Sequence, residues 1–199
     1  MKQLQIISNL HAQKHANKER SDRPLPFNRV HTIEYHMPSS SPQSPPPAVT
    51  LRAIHPSDLP AIFEFQSDPR SIEMAVAFGR SRPEFDEHWT KILNNPEVIA
   101  SAIIAGDTLV GHVSCFKMDG LDSVGYWIDR AYWGSGYATK GVQLLLEQVS
   151  KRPLHARVAR SNSGSIRVLE KCGFQTIRYE TSPDDGKFPV CQEAIMRLD

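Results

Sequence analysis

The 199-residue sequence lacks any run of 18 consecutive apolar residues, so nothing in it predicts a helix that spans a bilayer. It also has little net charge, only +1, which excludes a strongly basic nucleic-acid binder by bulk charge. Cysteine is scarce as well: the odd, widely spaced set Cys115, Cys172 and Cys191 predicts neither a disulfide scaffold nor a zinc site. We therefore expect a cytoplasmic protein with no metal, no nucleic-acid partner and no membrane partner.

Glycine is missing from the first 47 residues, although the chain has 11 glycines. The same segment carries seven of the 15 prolines, ends in a Ser/Pro-rich run from Met37 to Pro47, and leaves residues 48–199 with a formal charge of −2. Such a run has no side chains that could form a core. We predict a disordered tail over residues 1–47 and one domain over residues 48–199. A solvated leader and a targeting or RNA-binding arm both remain open for the tail.

Apolar periodicity after residue 47 alternates between strand and helix patterns. The helices are expected to begin near Pro56, Ser81, Gly136 and Ser161, and Ser81 and Glu84 have the spacing of a capping box. The strands are expected over Val49–Ile54, Val98–Ala105, Thr108–Lys117, Ser123–Asp129, Leu154–Ala159, Phe174–Glu180 and Val190–Leu198. The order β-α-α-β-β-β-α-β-α-β-β predicts an α+β fold with one sheet covered by helices.

A glycine-containing turn joins the fourth predicted strand to the third helix. It reads Trp133-Gly-Ser-Gly-Tyr-Ala-Thr139. Two glycines remove side chains where a ligand would touch backbone, and the unpaired N–H groups at a helix start favour an anion such as a pyrophosphate. The spacing is neither Gly-x-Gly-x-x-Gly nor that of a P-loop, so by itself this segment is also compatible with a simple tight turn.

Three segments follow one another in a specific order. They are Gly125-Tyr-Trp-Ile-Asp129, Tyr132-Trp-Gly-Ser-Gly-Tyr-Ala-Thr139, and Asn162-x-x-Ser165 leading to Cys172-Gly-Phe174. Over about residues 49–199 the sequence resembles the GNAT superfamily of acyl-CoA N-acyltransferases, and within it the ribosomal-protein N-terminal acetyltransferases. The resemblance implies a single mixed, mostly antiparallel sheet with helices on both faces. It also implies that acetyl-CoA binds between the strand before the glycine turn and the next strand.

The resemblance further implies which residues hold the cofactor and which help the chemistry. Ser165 would lie near the sulfur and protonate or hydrogen-bond the leaving thiolate, with a helix-start residue that satisfies a backbone amide as the alternative. One departure is Ala131, which stands where the family often has Gln or Arg, while the adjacent Arg130 is expected to point elsewhere. The implied cofactor-binding residues are Trp127, Ile128, Asp129, Trp133, Gly134, Ser135, Gly136, Tyr137, Ala138, Thr139 and Asn162.

The general base is the least defined part of the predicted site. Asp122 opens the strand that carries the cofactor contacts and is our candidate, with a turn residue as the alternative. Asp184 and Asp185 in the last inter-strand loop and His112 in a strand are further candidates, each with a structural explanation as well.

Three more residues are expected to be structural. Phe85 and Trp89 are predicted to form the core face of a helix; the alternative is that they line the acceptor cleft. Cys172 is expected to be a buried thiol and not a nucleophile.

The predicted activity is transfer of an acetyl group from acetyl-CoA to a primary amine, either a protein N-terminus or a small amine. The alternative is a catalytically idle module of the same fold that binds CoA or another protein. We expect a monomer or a homodimer.

Overall fold

The computed structural model describes residues 47–184 and 188–199. The predicted tail, residues 1–47, thus lies outside the described residues except for Pro47. Within the described residues no helix is long and apolar enough to cross a membrane. The helices are α1 Leu59–Ser67, α2 Pro69–Ala75, α3 Arg82–Leu93, α4 Tyr137–Gln148 and α5 Ser163–Lys171; the strands are β1 Val49–Ala53, β2 Ile99–Ala105, β3 Thr108–Met118, β4 Leu121–Ile128, β5 Leu154–Ala159, β6 Gln175–Ser182 and β7 Cys191–Leu198.

The seven strands form one mixed sheet in the order β1-β2-β3-β4-β5-β7-β6. Every neighbouring pair is antiparallel except β4 and β5, which are parallel. A single residue pair, Ser123 with His155, joins these two strands near their starts. Parallel strands normally exchange hydrogen bonds along their length, so β4 and β5 diverge beyond this pair and leave a gap between their C-terminal ends.

Helices cover both faces of the sheet because alternate strand residues point to opposite sides. On one face, Val142 and Leu145 of α4 pack on Ile103 and Val113 in the larger core. On the other face, the smaller core combines Ile62 of α1, Phe85 and Trp89 of α3, and Ala102 of β2. This architecture confirms the predicted α+β class and the mixed, mostly antiparallel sheet.

One helix escaped the sequence prediction. Helix α2 has only seven residues, too few to show an apolar period. Its start nevertheless carries a local signal, because Asp68 caps it by accepting from the Ser71 N–H at 2.9 Å and Pro69 occupies its first position. The predicted start of α3 is confirmed, since the Glu84 carboxylate accepts from the Ser81 N–H at 2.8 Å.

Candidate active site

The glycine turn follows the C-terminal end of β4, on the side of the sheet where β4 and β5 no longer pair. Gly134 and Gly136 have φ angles of +77° and +84°, left-handed values that a side chain would strain. Gly136 is the N-cap of α4, and no side chain of the described residues caps that helix. The first N–H groups of α4 therefore point out of the protein without helical partners.

This turn offers a ligand an open backbone surface. A Cβ atom built on Gly134 or Gly136 would meet no atom of the described residues within 4 Å. Open space, unpaired N–H groups and the positive end of the α4 dipole together fit the negative charge of a pyrophosphate. The predicted binding segment Trp133 to Thr139 is thus brought together as one surface.

Three side chains of this region fix the backbone at the end of β4. The Trp133 indole N–H donates to the Ile128 carbonyl at 2.9 Å and holds the turn against the strand. Asp129 accepts from the Ala131 N–H at 3.0 Å. The Trp127 indole N–H donates to the Phe65 carbonyl at 2.9 Å, which ties β4 to the end of α1. The side chains of Trp127, Asp129 and Trp133 therefore position the backbone.

Arg130 occupies the place beside Ala131. Its guanidinium forms an ion pair of 3.1 Å with Asp68, the residue that caps α2. It therefore faces the α1–α2 side, as expected from the sequence, and the turn itself presents amides, hydroxyls and no cation.

Helix α5 lies across the gap from the turn. The Asn162 Oδ1 atom caps α5 by accepting from the Ser165 N–H at 3.0 Å, which leaves the Asn162 amide NH₂ group as a donor for a ligand. The Ser165 carbonyl accepts from the Tyr126 hydroxyl at 3.4 Å. Both backbone groups of Ser165 are thus held, and its half-buried hydroxyl is a side-chain hydrogen-bond partner of the Tyr126 hydroxyl.

Burial keeps two groups near this gap in their neutral forms. It raises the pKa of Tyr126 to about 12 and that of Cys172 to about 11. The Cys172 thiol contacts the Thr139 carbonyl in the first turn of α4, with an Sγ–O distance of 3.6 Å. A neutral thiol that packs two helices together fits the expected structural role.

The structure does not bring Asp122 together with these residues. It lies six residues before Ile128, about 20 Å away along an extended strand. Its carboxylate faces Lys151, which follows α4, with an Nζ–Oδ1 distance of 3.5 Å. Its role as the general base stays a prediction, and this position does not support it.

A cavity of about 330 Å³ opens on the other side of the β4 end. Trp127, which forms part of its wall, links it to the glycine turn. Phe85 is fully buried and also lines the cavity, so it belongs to both the core and the cleft. The cavity is lined by Phe63, Gln66, Ser67, Ile72, Ala77, Phe78, Gly79, Arg80, Glu84, Phe85, Glu87, His88, Lys91, Trp127 and Phe188.

His112 is buried behind this cavity and is not suited to the role of base. Its Nε2 atom lies 2.9 Å from Gln66 Nε2, and its ring packs edge-on against Trp89 with a centroid distance of 5.1 Å. Burial, with a smaller effect of His88, lowers the pKa of His112 to about 4. The ring is therefore neutral at pH 7, and the expectation of a packed histidine is the one that the geometry supports.

We expect this histidine to make stability depend on pH. The unfolded chain takes up a proton at its ordinary pKa of 6.5, whereas the folded chain takes it up only near 4. Stability should therefore fall by about 3 kcal/mol as the pH drops from 7 to 4. Urea unfolding of the wild type and of His112→Gln at both pH values measures this contribution. Between pH 7 and pH 4 the unfolding free energy of the variant should fall by about 3 kcal/mol less than that of the wild type. An equal fall in both proteins would assign the pH dependence to other groups.

The remaining base candidates lie in the β6–β7 loop. Asp184 is described and follows β6, while Asp185 lies outside the described residues. Among the residues that the structure describes, no cluster of three or more His, Cys, Asp or Glu side chains could hold a metal ion.

Sequence reasoning missed most of the cavity. Phe63, Phe78, Arg80 and Phe188 come from segments far apart in the chain, and no motif unites them. Of these segments, only the apolar face of α3 indicated a cleft from the sequence, because Phe85 was a candidate lining residue.

Comparison with known proteins agrees with this geometry. A family model described as an acetyltransferase (GNAT) domain matches residues 48–175. The curated protein "Probable N-acetyltransferase YjcK" of Bacillus subtilis (strain 168) is 37% identical over 76 residues, which cover 34% of this chain and 42% of that protein. The chain thus spans less than half the length of this curated relative.

Solved structures share the fold at low sequence identity. A spermidine N-acetyltransferase from Vibrio cholerae, in complex with CoA and spermine, gives a TM-score of 0.66 at 17% identity and covers 75% of this chain and 94% of that one. RimL, a ribosomal alpha-N-protein acetyltransferase in complex with coenzyme A, gives a TM-score of 0.62 at 16% identity and covers 75% and 93%.

Proposed function

The chain belongs to the acetyltransferase (GNAT) family, and on that premise we propose that it transfers an acetyl group from acetyl-CoA to a primary amine. The observation that carries the proposal is the uncapped start of α4 behind two left-handed glycines, directly beside the gap between β4 and β5. The neighbouring cavity supplies a second compartment for an acceptor, so both substrates can meet at the end of β4.

We assign the residues to acetyl-CoA as follows. The backbone of the glycine turn, with the Ser135 and Thr139 hydroxyls, holds the pyrophosphate. The end of β4, Trp127 to Asp129, and the free amide NH₂ group of Asn162 hold the pantetheine arm. Backbone N–H groups at the gap stabilise the negative charge that develops on the thioester oxygen.

The reaction is a direct attack in a ternary complex. The neutral amine nitrogen attacks the thioester carbonyl carbon, an N–C bond forms, and the C–S bond breaks. The amine loses a proton to water in the cavity, where Glu84 and Glu87 line the wall. The departing thiolate gains a proton from the Ser165 hydroxyl, which takes up in turn, through water, the proton that the amine released, so that no charge remains on Ser165. Free thiols at all three described cysteines support the cytoplasm as its location.

Thiol release from acetyl-CoA in the presence of a panel of primary amines tests the proposal, beside calorimetric binding of acetyl-CoA. We expect micromolar to millimolar KM values and rates that depend on the amine. Tight acetyl-CoA binding with no thiol release for any amine would favour the idle CoA-binding module.

We expect Ser165→Ala to lower kcat by about 10- to 100-fold with little change in acetyl-CoA affinity. The loss is modest because a CoA thiol is a fair leaving group by itself. Steady-state rates beside a binding titration measure both quantities. Asp122→Asn is the companion variant, and because Asp122 faces Lys151 it should retain kcat. If kcat of Ser165→Ala were unchanged while the chemical step limits the rate, Ser165 would not protonate the thiolate and would serve only at the start of α5.

A further inference from the structure

One charged side chain of the cavity, Arg80, has no hydrogen-bond or ion-pair partner among the residues that the structure describes. Arg80 belongs to the segment between α2 and α3, where the chain reverses at Val76 in a left-handed conformation with φ of +50°. A Cβ atom on Gly79 would lie only 3.0 Å from Ile72 Cδ1, so this segment packs closely on α2. That close packing places the neighbouring Arg80 in the cavity wall.

The Arg80 guanidinium is partly buried, yet no described residue pairs with it. Within residues 47–184 and 188–199 it forms neither a hydrogen bond nor an ion pair. Each of the other arginines in these ranges forms at least one such contact, except Arg167, which is exposed to solvent. Burial lowers the pKa of Arg80, and the charge of Glu84 opposes this effect only in part. A guanidinium that loses water without gaining acceptors is unfavourable unless a ligand supplies them.

The carboxylates of the cavity wall are already engaged. Glu84 accepts from the Ser81 N–H and hydroxyl at 2.8 and 2.6 Å. Glu87 forms an ion pair of 2.6 Å with Lys91. The formal charges of these lining residues cancel, so the cavity has no excess negative charge for an acceptor with several positive groups.

Large aromatic side chains form much of the rest of the wall. Phe63, Phe78, Phe85, Trp127 and Phe188 surround the space, and its volume of about 330 Å³ is at the small end for ligand sites. This combination suits a small molecule with one apolar group and one group that accepts hydrogen bonds from a guanidinium.

Resting on the proposed function, we propose that the acceptor is an amine that also carries a carboxylate, joined to an apolar side chain, and that Arg80 binds the carboxylate. A guanidinium can donate two parallel hydrogen bonds to a carboxylate, which fixes the orientation of the molecule. The aromatic wall takes the apolar side chain, and the amine is left to face the thioester at the end of β4.

A matched pair of acceptors tests this proposal: L-phenylalanine and L-phenylalanine amide, which differ at the carboxylate, with rates compared per neutral amine because the amide has the less basic amine, and with spermidine as a polycationic comparison. We expect the wild type to prefer the acid over the amide by about 10- to 100-fold in kcat/KM, mostly through KM. Arg80→Gln should reduce this ratio to near one and leave acetyl-CoA affinity unchanged. Arg70→Gln is the control, because Arg70 pairs with Glu73 on the surface of α2 and should keep the preference.

Calorimetry with N-acetyl-L-phenylalanine on the CoA-loaded full chain gives a readout that needs no catalysis. Binding that Arg80→Gln abolishes, with no thiol release for any amine, would support the carboxylate site and overturn the proposed function. Thiol release with equal rates for acid and amide, or a preference for spermidine, would overturn the carboxylate site and keep the proposed function. Neither binding nor thiol release would overturn both.

Discussion

We expect Gly134→Asp to lower the affinity for acetyl-CoA by about 30- to 1,000-fold while the chain keeps its fold. The new carboxylate would lie on the surface that presents free N–H groups to the pyrophosphate. Placing a negative charge there corresponds to a loss of about 2–4 kcal/mol of binding free energy. The space around Gly134 is open, so the substitution forces no clash inside the protein.

Gly120→Asp is a closely matched control for this variant. Gly120 has a φ angle of +79° against +77° for Gly134, and a Cβ atom on either residue meets no described atom within 4 Å. Strain from the left-handed backbone is therefore the same in both, but Gly120 lies in the β3–β4 turn, before β4 begins. Calorimetry should find normal acetyl-CoA affinity for Gly120→Asp. Equal affinities in two folded variants would show that the glycine turn is not the pyrophosphate site.

The largest effect on stability is expected for Gly111→Ala. A Cβ atom on Gly111 would lie 2.2 Å from the Trp127 carbonyl oxygen and 3.0 Å from Ile128 Cα. Both are backbone atoms, so strands β3 and β4 would have to separate at the site that carries the turn and the cavity. We expect a loss of about 4 kcal/mol of unfolding free energy, measured by urea unfolding.

Gly125→Ala in the neighbouring strand separates this effect from a general penalty for alanine. Its Cβ atom would contact Phe116 Cε1 at 3.2 Å, a ring atom that can move by a few tenths of an ångström. The expected loss is below about 1.5 kcal/mol. If Gly111→Ala lowered the unfolding free energy by no more than Gly125→Ala does, the close approach of β3 to β4 at Gly111 would be contradicted.

The parts of the fold that the sequence predicted are those that short segments determine by themselves. The capping box at Ser81, the glycine after α5 and the apolar stripe of α4 each rely on residues within a few turns of one another. The glycine turn was predicted for the same reason, since its backbone needs only Gly134 and Gly136.

The parts that escaped prediction depend on the tertiary arrangement. The cavity combines residues of α1, the segment before α3, the end of β4 and the β6–β7 loop. Its proposed role depends on the lack of a described hydrogen-bond or ion-pair partner for Arg80, which no sequence pattern shows. Asp122 shows the same limit: its position in the strand was known, but the direction of its side chain toward Lys151 followed from where α4 ends.

The single residue pair between β4 and β5 gives the sheet four edges instead of two. The outer edges are β1 and β6, and two more face each other inside the molecule beyond Ser123 and His155. Edge strands accept extended chains that carry amide groups. A ligand of that kind, bound in the gap, would pair with both half-sheets as an added strand, beside the larger core that already joins the two halves through Val124 of β4 and Leu154 of β5.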